Sequence, residues 1–419
     1  MEKILFYFNR IREQLWFRPF ILCLLSVGGA LIAHQADRFE IAKHVPEIDA
    51  ESLGSLLDTI SASMLVIAIF AVASMLSAFA SASTTATPRS FKIVVTDDVS
   101  QNALSIFIGA FIFSIVATIA LDHGYYEKAG KFILFLLTLI LFSTVILTFL
   151  KWVNRISRLG RMDHTISQIE AVVSKSLSSY IKHPHHKGQP AKGEKPGEIA
   201  VLATAVGYVQ YLQMESLQTL AEENGLTIRV TCLPGKFVHK NYTVAYISPN
   251  NNVDLAPIME KLNEAITIGN TRLFDDDPRF GLIALSEIAS RALSPGVNDP
   301  GTAIQIIGSH ERLFFLWNQK QSPAEGKVEF DRIEVPDIVM EDFFDDAFRP
   351  IARDGADNVE VMLRMQKAFA ALATIDKPEL KEWAIKNSKL AFQRAEQAIT
   401  FKPDLELLER NCLFKNLGR

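Results

Sequence analysis

Ionisable side chains are all but missing from four stretches of this chain. Residues 60–82, 103–121 and 132–150 contain none, and residues 17–33 contain only Arg18. Asp, Glu, Lys and His are absent from all four, which argues against an ion-coupled transporter, since such proteins keep costly ionisable groups inside the membrane. Cysteine is scarce too. Cys23, Cys232 and Cys412 are too few and too scattered for a disulfide framework, so nothing points to an oxidising compartment. A charge excess of one sign is lacking, with 43 Lys and Arg against 47 Asp and Glu, and with it the electrostatic footprint of a nucleic-acid-binding protein. No phosphate loop, dinucleotide-binding glycine pattern, zinc-protease helix or nucleophile elbow occurs. The expectation is a protein that is not an enzyme and carries neither cofactor nor metal.

What is present begins with the four apolar stretches themselves. Each approaches the ~20 residues that a helix needs to cross about 30 Å of hydrocarbon. Lipid offers backbone groups no partner, so such segments cross as helices. Arg10, Arg12 and Arg18 precede the first run as in a secretory signal, but its apolar core starts late, and a retained anchor fits better. Basic residues flank the first run at its N-terminal side (Lys3 and those three arginines) and follow the fourth (Lys151, Arg155, Arg158, Arg161), whereas loop 34–59 is acid-rich. The positive-inside rule then places both termini in the cytoplasm of a multi-pass cell (inner) membrane protein.

The second run is rich in Ala, Ser and Thr. Ser74, Ala78 and Ala82 repeat at four-residue spacing, as do Ser77, Ser81 and Thr85, and such rows let helices approach closely in lipid. Ser74, Ser77, Ser81 and Thr84 also form a hydroxyl stripe on one face. Tight packing is the ordinary reading of that stripe. The functional one is a pore-lining helix, because hydroxyls wet a path without fixed charge, with Arg89 and Lys92 as charges at the pore mouth. Pro88 ends or kinks this helix. Asp98 and Gln101 have capping-box spacing for the next one, in which Ser105/Gly109 and Ala110/Ser114/Thr118 repeat the small-residue theme. The fourth run, mostly Leu, Ile, Phe and Thr, reads as lipid-facing.

Beyond the spans the pattern changes. A helix continues over 151–180, a Pro/Gly/Lys-rich linker follows at 183–197, and a second helix is expected over 199–224. Alternating apolar residues mark strands at 227–232, 236–239 and 242–247, helices return at 255–268 and 279–293, and a strand pair fits 327–335. From residue 337 onward the pattern is helical, with a break near Pro378. The fold class is therefore an α-helical membrane domain of four transmembrane helices followed by a cytoplasmic α+β domain, mostly helical with a small antiparallel sheet. The expected divisions are 1–150 for the spans, 151–198 for connector and linker, 199–335 for the α+β domain and 336–419 for a C-terminal helical region.

Three blocks carry a resemblance. They are Ala86-TPRSFKIVVTDDVSQNALSIFIGAFIF, LPGKFVHK at 233–240 and Ile268-GNTRLFDDDPRFGLIALSEIASRALSPGVNDPGTA. The chain resembles a bacterial family of predicted membrane proteins of unknown function (domain of unknown function 2254), from the first span to about Trp317. The resemblance implies four spans and a C-terminal soluble domain, and no activity. Lys240-Asn241 stands where the family tends to have a glycine.

Three local clusters could carry chemistry. In 294–302, Pro295 disfavours helix at Ser294, Gly296 allows an unusual backbone angle, and Asp299-Pro300 begins a helix. Arg291, Gly296, Asn298 and Thr302 are then candidates for holding a small anionic ligand at a helix N-terminus, although Asp299 at the cap would repel one. The ordinary alternative is a rigid helix–loop–helix connector. Asp275, Asp276 and Asp277 could bind a divalent cation, but capping before Pro278 and pairing with Arg272 and Arg279 is the commoner use of such a run. His183, His185 and His186 have no carboxylate or cysteine cluster beside them to make a metal site. The leading functional expectation is a homo-oligomeric channel or pore in the lipid bilayer, lined by the second span and gated or assembled by the cytoplasmic domain. The alternative is a membrane-anchored structural or signalling scaffold whose cytoplasmic domain binds a protein or small anionic ligand.

Overall fold

The structure, a computed structural model, describes residues 11–413 except 12, 13, 15, 39–44, 86, 96, 194, 250–253 and 319–326, and leaves out the side chains at 38, 82–85, 91, 92, 94, 95 and 249. The chain divides between Thr165 and Ile166 into two compact units. The N-terminal unit contains helices α1 (Phe17–Gln35), α2 (Ala50–Thr85), α3 (Pro88–Val95), α4 (Asp98–Asp122) and α5 (Lys128–Ile156). Four of the described helices are long and apolar enough to cross a membrane, at Phe17–Gln35, Ala50–Ser81, Asp98–Asp122 and Lys128–Ile156.

Helix α4 is the hub, packed against α1, α2 and α5. Its small residues explain why. Ala103, Ala110, Ser114 and Ala117 are fully buried, and a Cβ on Gly109 would lie 3.2 Å from Ser26 Oγ and 3.4 Å from Leu22 Cβ. Helix α2 answers with a buried row at helical spacing, Leu57, Ile60, Met64, Ala68, Ala71, Met75 and Ala78. Helix α5 buries Leu134, Thr138, Val145 and Trp152 and leaves Leu136, Leu139, Ile140, Ile146, Leu147 and Leu150 exposed, as its composition implied.

Two buried carboxylates tie the helix ends. Asp97, not Asp98, is the N-cap of α4: it accepts the Ser100 amide at 3.0 Å and two hydrogen bonds from Arg155 at the end of α5. Asp98 instead is exposed and pairs with Arg18, and Gln101 is buried, so the cap lies one residue before the expected capping box. At the opposite ends, Asp37 accepts the amides of Gly130 at 2.6 Å and Glu127 at 2.9 Å, capping α5. The Tyr126 hydroxyl donates to Ala30 O at 2.8 Å nearby.

The C-terminal unit opens within helix α6 (Met162–Lys182). It continues as β1 (Gly188–Pro190), β2 (Ile199–Leu202), β3 (Gly207–Leu212), α7 (Met214–Glu223), β4 (Leu226–Val230), β5 (Phe237–Val238), β6 (Thr243–Pro249), α8 (Leu255–Ala265) and β7 (Ile266–Gly269). Then come α9 (Pro278–Ala292), α10 (Pro300–Trp317), β8 (Phe330–Val335), α11 (Met340–Asp354), α12 (Val359–Leu372), α13 (Pro378–Ala398) and α14 (Lys402–Arg410).

The strands form two sheets, a five-stranded one ordered β1-β8-β4-β6-β2 and a three-stranded one ordered β5-β3-β7. The expected small antiparallel sheet is corrected on two counts. There are two sheets, and β8 runs parallel to both β1 and β4. The helix expected over 199–224 opens instead with two strands, β2 and β3, and is helical only from Met214, as α7. The backbone explains the change: Gly207 passes so close to Gly269 that a Cβ there would lie 2.5 Å from Gly269 O, and Val201, Val209 and Leu212 all point into one core. Likewise β8 replaces the strand pair at 327–335, its partner β1 lying inside the expected linker, and 266–269 leaves the helix to become β7.

Helices α9 to α13 bury a phenylalanine cluster of Phe314, Phe343, Phe344, Phe348 and Phe369. A polar group sits within it. His310 is fully buried, its Nε2 is 3.1 Å from Ser286 Oγ, and that hydroxyl donates to the Asp346 or Ala347 carbonyl at 2.7 and 2.8 Å. Burial pulls the His310 pKa down to about 3, so the unfolded chain binds its proton first as pH falls. Stability is therefore complete above the unfolded value near 6.5 and drains between there and about 3, at up to about 1.4 kcal/mol per pH unit. Thermal melting at pH 7 and pH 5 should show this loss, and His310→Gln should flatten it.

Candidate functional site

The loop singled out by sequence, 294–302, is a connector between α9 and α10. Asp299 caps α10 with its own carboxylate, accepting the Thr302 amide at 3.1 Å and the Thr302 hydroxyl at 2.5 Å. The N-terminus thus already holds an anion. The left-handed residue is Asn298 (φ 50°) rather than Gly296, which corrects the expectation; Gly296, Asn298 and Arg291 are exposed, and Thr302 is buried. The loop and Arg291 form no enclosed site.

The hydroxyl stripe of α2 also has a clear position. Ser77 and Ser81 are exposed and Ser74 is half-buried. The face that packs inside the unit is the Ala/Met row, and Ser77 lies about 160° around the helix from Met75 at ~100° per residue. The side chains of Thr84 and Lys92 lie outside the described residues, while Arg89 is exposed on α3.

A cavity of about 480 Å³ in the C-terminal unit brings together what the sequence left apart. Its walls come from the Leu233-Pro234-Gly235-Lys236 turn, the segment Arg272–Arg279, residues 336–342, and Tyr180 and His186. Two of the three blocks that carry the family resemblance therefore meet here, a convergence that sequence spacing alone could not show. Gly235 has φ 94°, open mainly to glycine, and any Cβ there would collide with the Asp277 carboxylate. That carboxylate takes a two-pronged ion pair from Arg272, 2.7 Å from Nε and 2.9 Å from the terminal nitrogen, and caps α9 through the Phe280 amide. The Arg272 guanidinium lies 5.2 Å from the Phe280 ring centre, and Arg279 reaches Asp346 at 2.7 Å and also Asp342. So within the acidic run Asp277 caps α9 and pairs with Arg272, whereas Arg279, expected to pair with the run, is paired with Asp342 and Asp346 instead. Among the described residues no three His, Cys, Asp or Glu side chains gather as a metal site.

The rest of the lining is polar and oddly under-used. Burial beside Asp275 and Asp277 pushes the Asp276 carboxyl up to about 6. Burial lowers His186 to about 4 and raises Tyr180 to about 12, so both are neutral near pH 7. The His186 Nε2 is shut from solvent and makes no hydrogen bond, while the buried Tyr180 hydroxyl meets the Ile338 backbone. His185, His186 and Lys187 hold φ values of 52°, 52° and 67°, a run of three left-handed residues without glycine. A second cavity of about 230 Å³ adjoins the first, sharing Tyr180, His186, Asp276 and Pro278 as wall. A broader surface hollow of about 610 Å³ lies elsewhere in the unit, but its Arg312 and Arg364 are already paired with Glu170 and Glu311.

Four candidate membrane helices followed by a mostly helical unit with two small sheets define a membrane protein with a large extramembrane part. The model of the family described as "Predicted membrane protein (DUF2254)" matches residues 12–371, and the chain belongs to that family. The match runs past Trp317, where the sequence resemblance faded, and takes in α11 and most of α12. Over 112 residues, 26% of this chain, it is 30% identical to uncharacterized proteins of Mycobacterium bovis and Mycobacterium tuberculosis, and that stretch spans 22% of each relative's length. No solved structure matches.

Gly235→Ala tests the architecture of the site. A Cβ there must displace Asp277 from Arg272, and breaking a buried pair costs about 3–5 kcal/mol. Denaturant unfolding of the purified protein should register a loss of that order, whereas Gly296→Ala, with nothing within 4 Å, should leave stability within about 0.5 kcal/mol of wild type.

Proposed function

We propose that this protein is a membrane-anchored binding protein whose C-terminal unit holds a small polar molecule in the 480 Å³ cavity beside the Gly235 turn. One observation carries the reading: a cavity of ligand size is walled by the resemblance-carrying segments and contains a buried imidazole nitrogen, His186 Nε2, that the chain itself leaves unsatisfied. Binding fits it better than catalysis. The one thiol in the wall, Cys232, is pushed up to about 12 by burial, and both arginines in it are already engaged by carboxylates. The flanking Lys and Arg pattern supports a cell (inner) membrane location with both termini, and this unit, in the cytoplasm. A ligand at 100 times its Kd stabilises by about 2.7 kcal/mol. A thermal-shift panel of small polar compounds on the detergent-solubilised protein should therefore give a hit that Val339→Trp, at the exposed rim of the cavity, abolishes. A panel without any such hit removes the reading.

A second reading, a homo-oligomeric channel, draws on the position of Ser77. Ser77 faces away from the Ala/Met row that packs within the unit and can line a path between copies, whereas Ser81 lies about 60° from Ala78 and beside Gly160. In planar bilayers Ser77→Trp should abolish discrete currents at unchanged oligomer mass. Silence of the wild type across voltage and salt gradients leaves the spans as anchors.

A further inference from the structure

Resting on the cavity reading above, the geometry points to the ligand's class: we infer that Tyr180, His186 and Asp276 form a site for a primary ammonium group, so that the protein binds a small organic amine. These three side chains, with Pro278, make up the wall shared by the two adjoining cavities. At neutral pH each presents an acceptor: a phenol oxygen, a neutral imidazole nitrogen and a carboxylate. The His186 Nε2 is buried without a hydrogen-bond partner, and the Tyr180 oxygen, which meets the Ile338 backbone, keeps a second lone pair to offer. A primary ammonium carries three N–H donors, one for each.

Charge selects a cation over an anion. Asp276 is flanked by Asp275 and Asp277, and among the described residues no cation pairs with it. The candidates are all occupied elsewhere. Arg272 is bound to Asp277, Arg279 to Asp342 and Asp346, and Lys187 lies 3.0 Å from Glu329. Lys236 rests over the Tyr242 ring, 5.8 Å from its centre. The adjoining smaller cavity adds Asp275 and no arginine. Chain length is set by the two cavities, which give an alkyl amine room on either side of the shared wall. In the larger one, Asp337, whose carboxylate lies 3.5 Å from His185 Nε2, offers an oxygen to a second ammonium. The aromatic rings of Tyr208, Phe237 and Tyr242 line the same space and favour a cation with an apolar stem.

The test is calorimetric titration of the full-length protein in detergent with 1,4-diaminobutane, choline and inorganic phosphate. Diaminobutane should bind, and choline, which has no N–H donor, should bind at least ten-fold more weakly; phosphate should not bind. Tyr180→Phe keeps the ring stacked on Trp317 at 5.4 Å and removes only the hydroxyl, so it should fold normally and weaken diaminobutane several-fold. Asp276→Asn should weaken it at least ten-fold. Choline or phosphate binding as well as diaminobutane, and lost in Val339→Trp, overturns the ammonium site and keeps the cavity reading. Diaminobutane binding unchanged in both Tyr180→Phe and Asp276→Asn also overturns it. If none of the three probes binds, the ammonium site falls, and the panel of small polar compounds alone decides the cavity reading.

Discussion

Burying the carboxylate of Asp277 is the constraint from which the C-terminal unit is built. A lone carboxylate taken out of water is too costly to persist, so it must be met by charge and by donors. Arg272 meets it with two prongs, and the first turn of α9 meets it with the Phe280 amide. Both demands fix the chain on either side: five residues back to Arg272 and three forward into the helix. The third demand is space, and it falls on a distant residue. Only glycine at 235 clears the carboxylate, so the turn between β4 and β5 is locked against the start of α9. The cavity is the volume left between those two pieces once they are joined.

The N-terminal unit solves the same problem in a different solvent. Its helices have no hydrophobic reason to associate in lipid, so close contact comes from small residues on α4 and from charges moved to the helix ends. Asp97 with Arg155, and Asp37 with the first turn of α5, satisfy backbone groups that lipid would leave bare. Apolar side chains such as Phe70, Leu76 and Leu147 remain exposed on the outside of the bundle, as a hydrocarbon surround requires.

Much of this was legible in the sequence, and what was not has identifiable causes. The spans were readable because twenty uncharged apolar residues admit one structure. The caps at Asp277 and Asp299 were readable because an aspartate before proline has few other uses. At Asp97/Asp98 the two neighbours are chemically alike, and only tertiary pairing with Arg155 and Arg18 separates them. The 199–212 segment misled because a short apolar stretch suits either period; the approach of Gly207 to Gly269, invisible in sequence, settled it as strand. The cavity was out of reach for the same reason: Tyr180, Gly235 and Asp276 meet only after the sheets have formed. The 294–302 loop is rich in turn residues, and in the structure they make a turn closed by Ser294 and capped by Asp299.

The parallel pairing of β8 with both β1 and β4 has a consequence for the order of synthesis. β4 ends at Val230 and β8 starts at Phe330, so β8, which sits between β1 and β4 in the larger sheet, reaches these neighbours only after the roughly 100 intervening residues have been made. At about 5–20 residues per second, β4 waits some 5–20 s with one edge open. During that interval the spans have already left the ribosome, and the nascent chain is tethered beside the bilayer with an unpaired strand. Helix α7, which follows β3 directly and packs against both β4 and the place β8 will take, is available to cover that edge in the meantime.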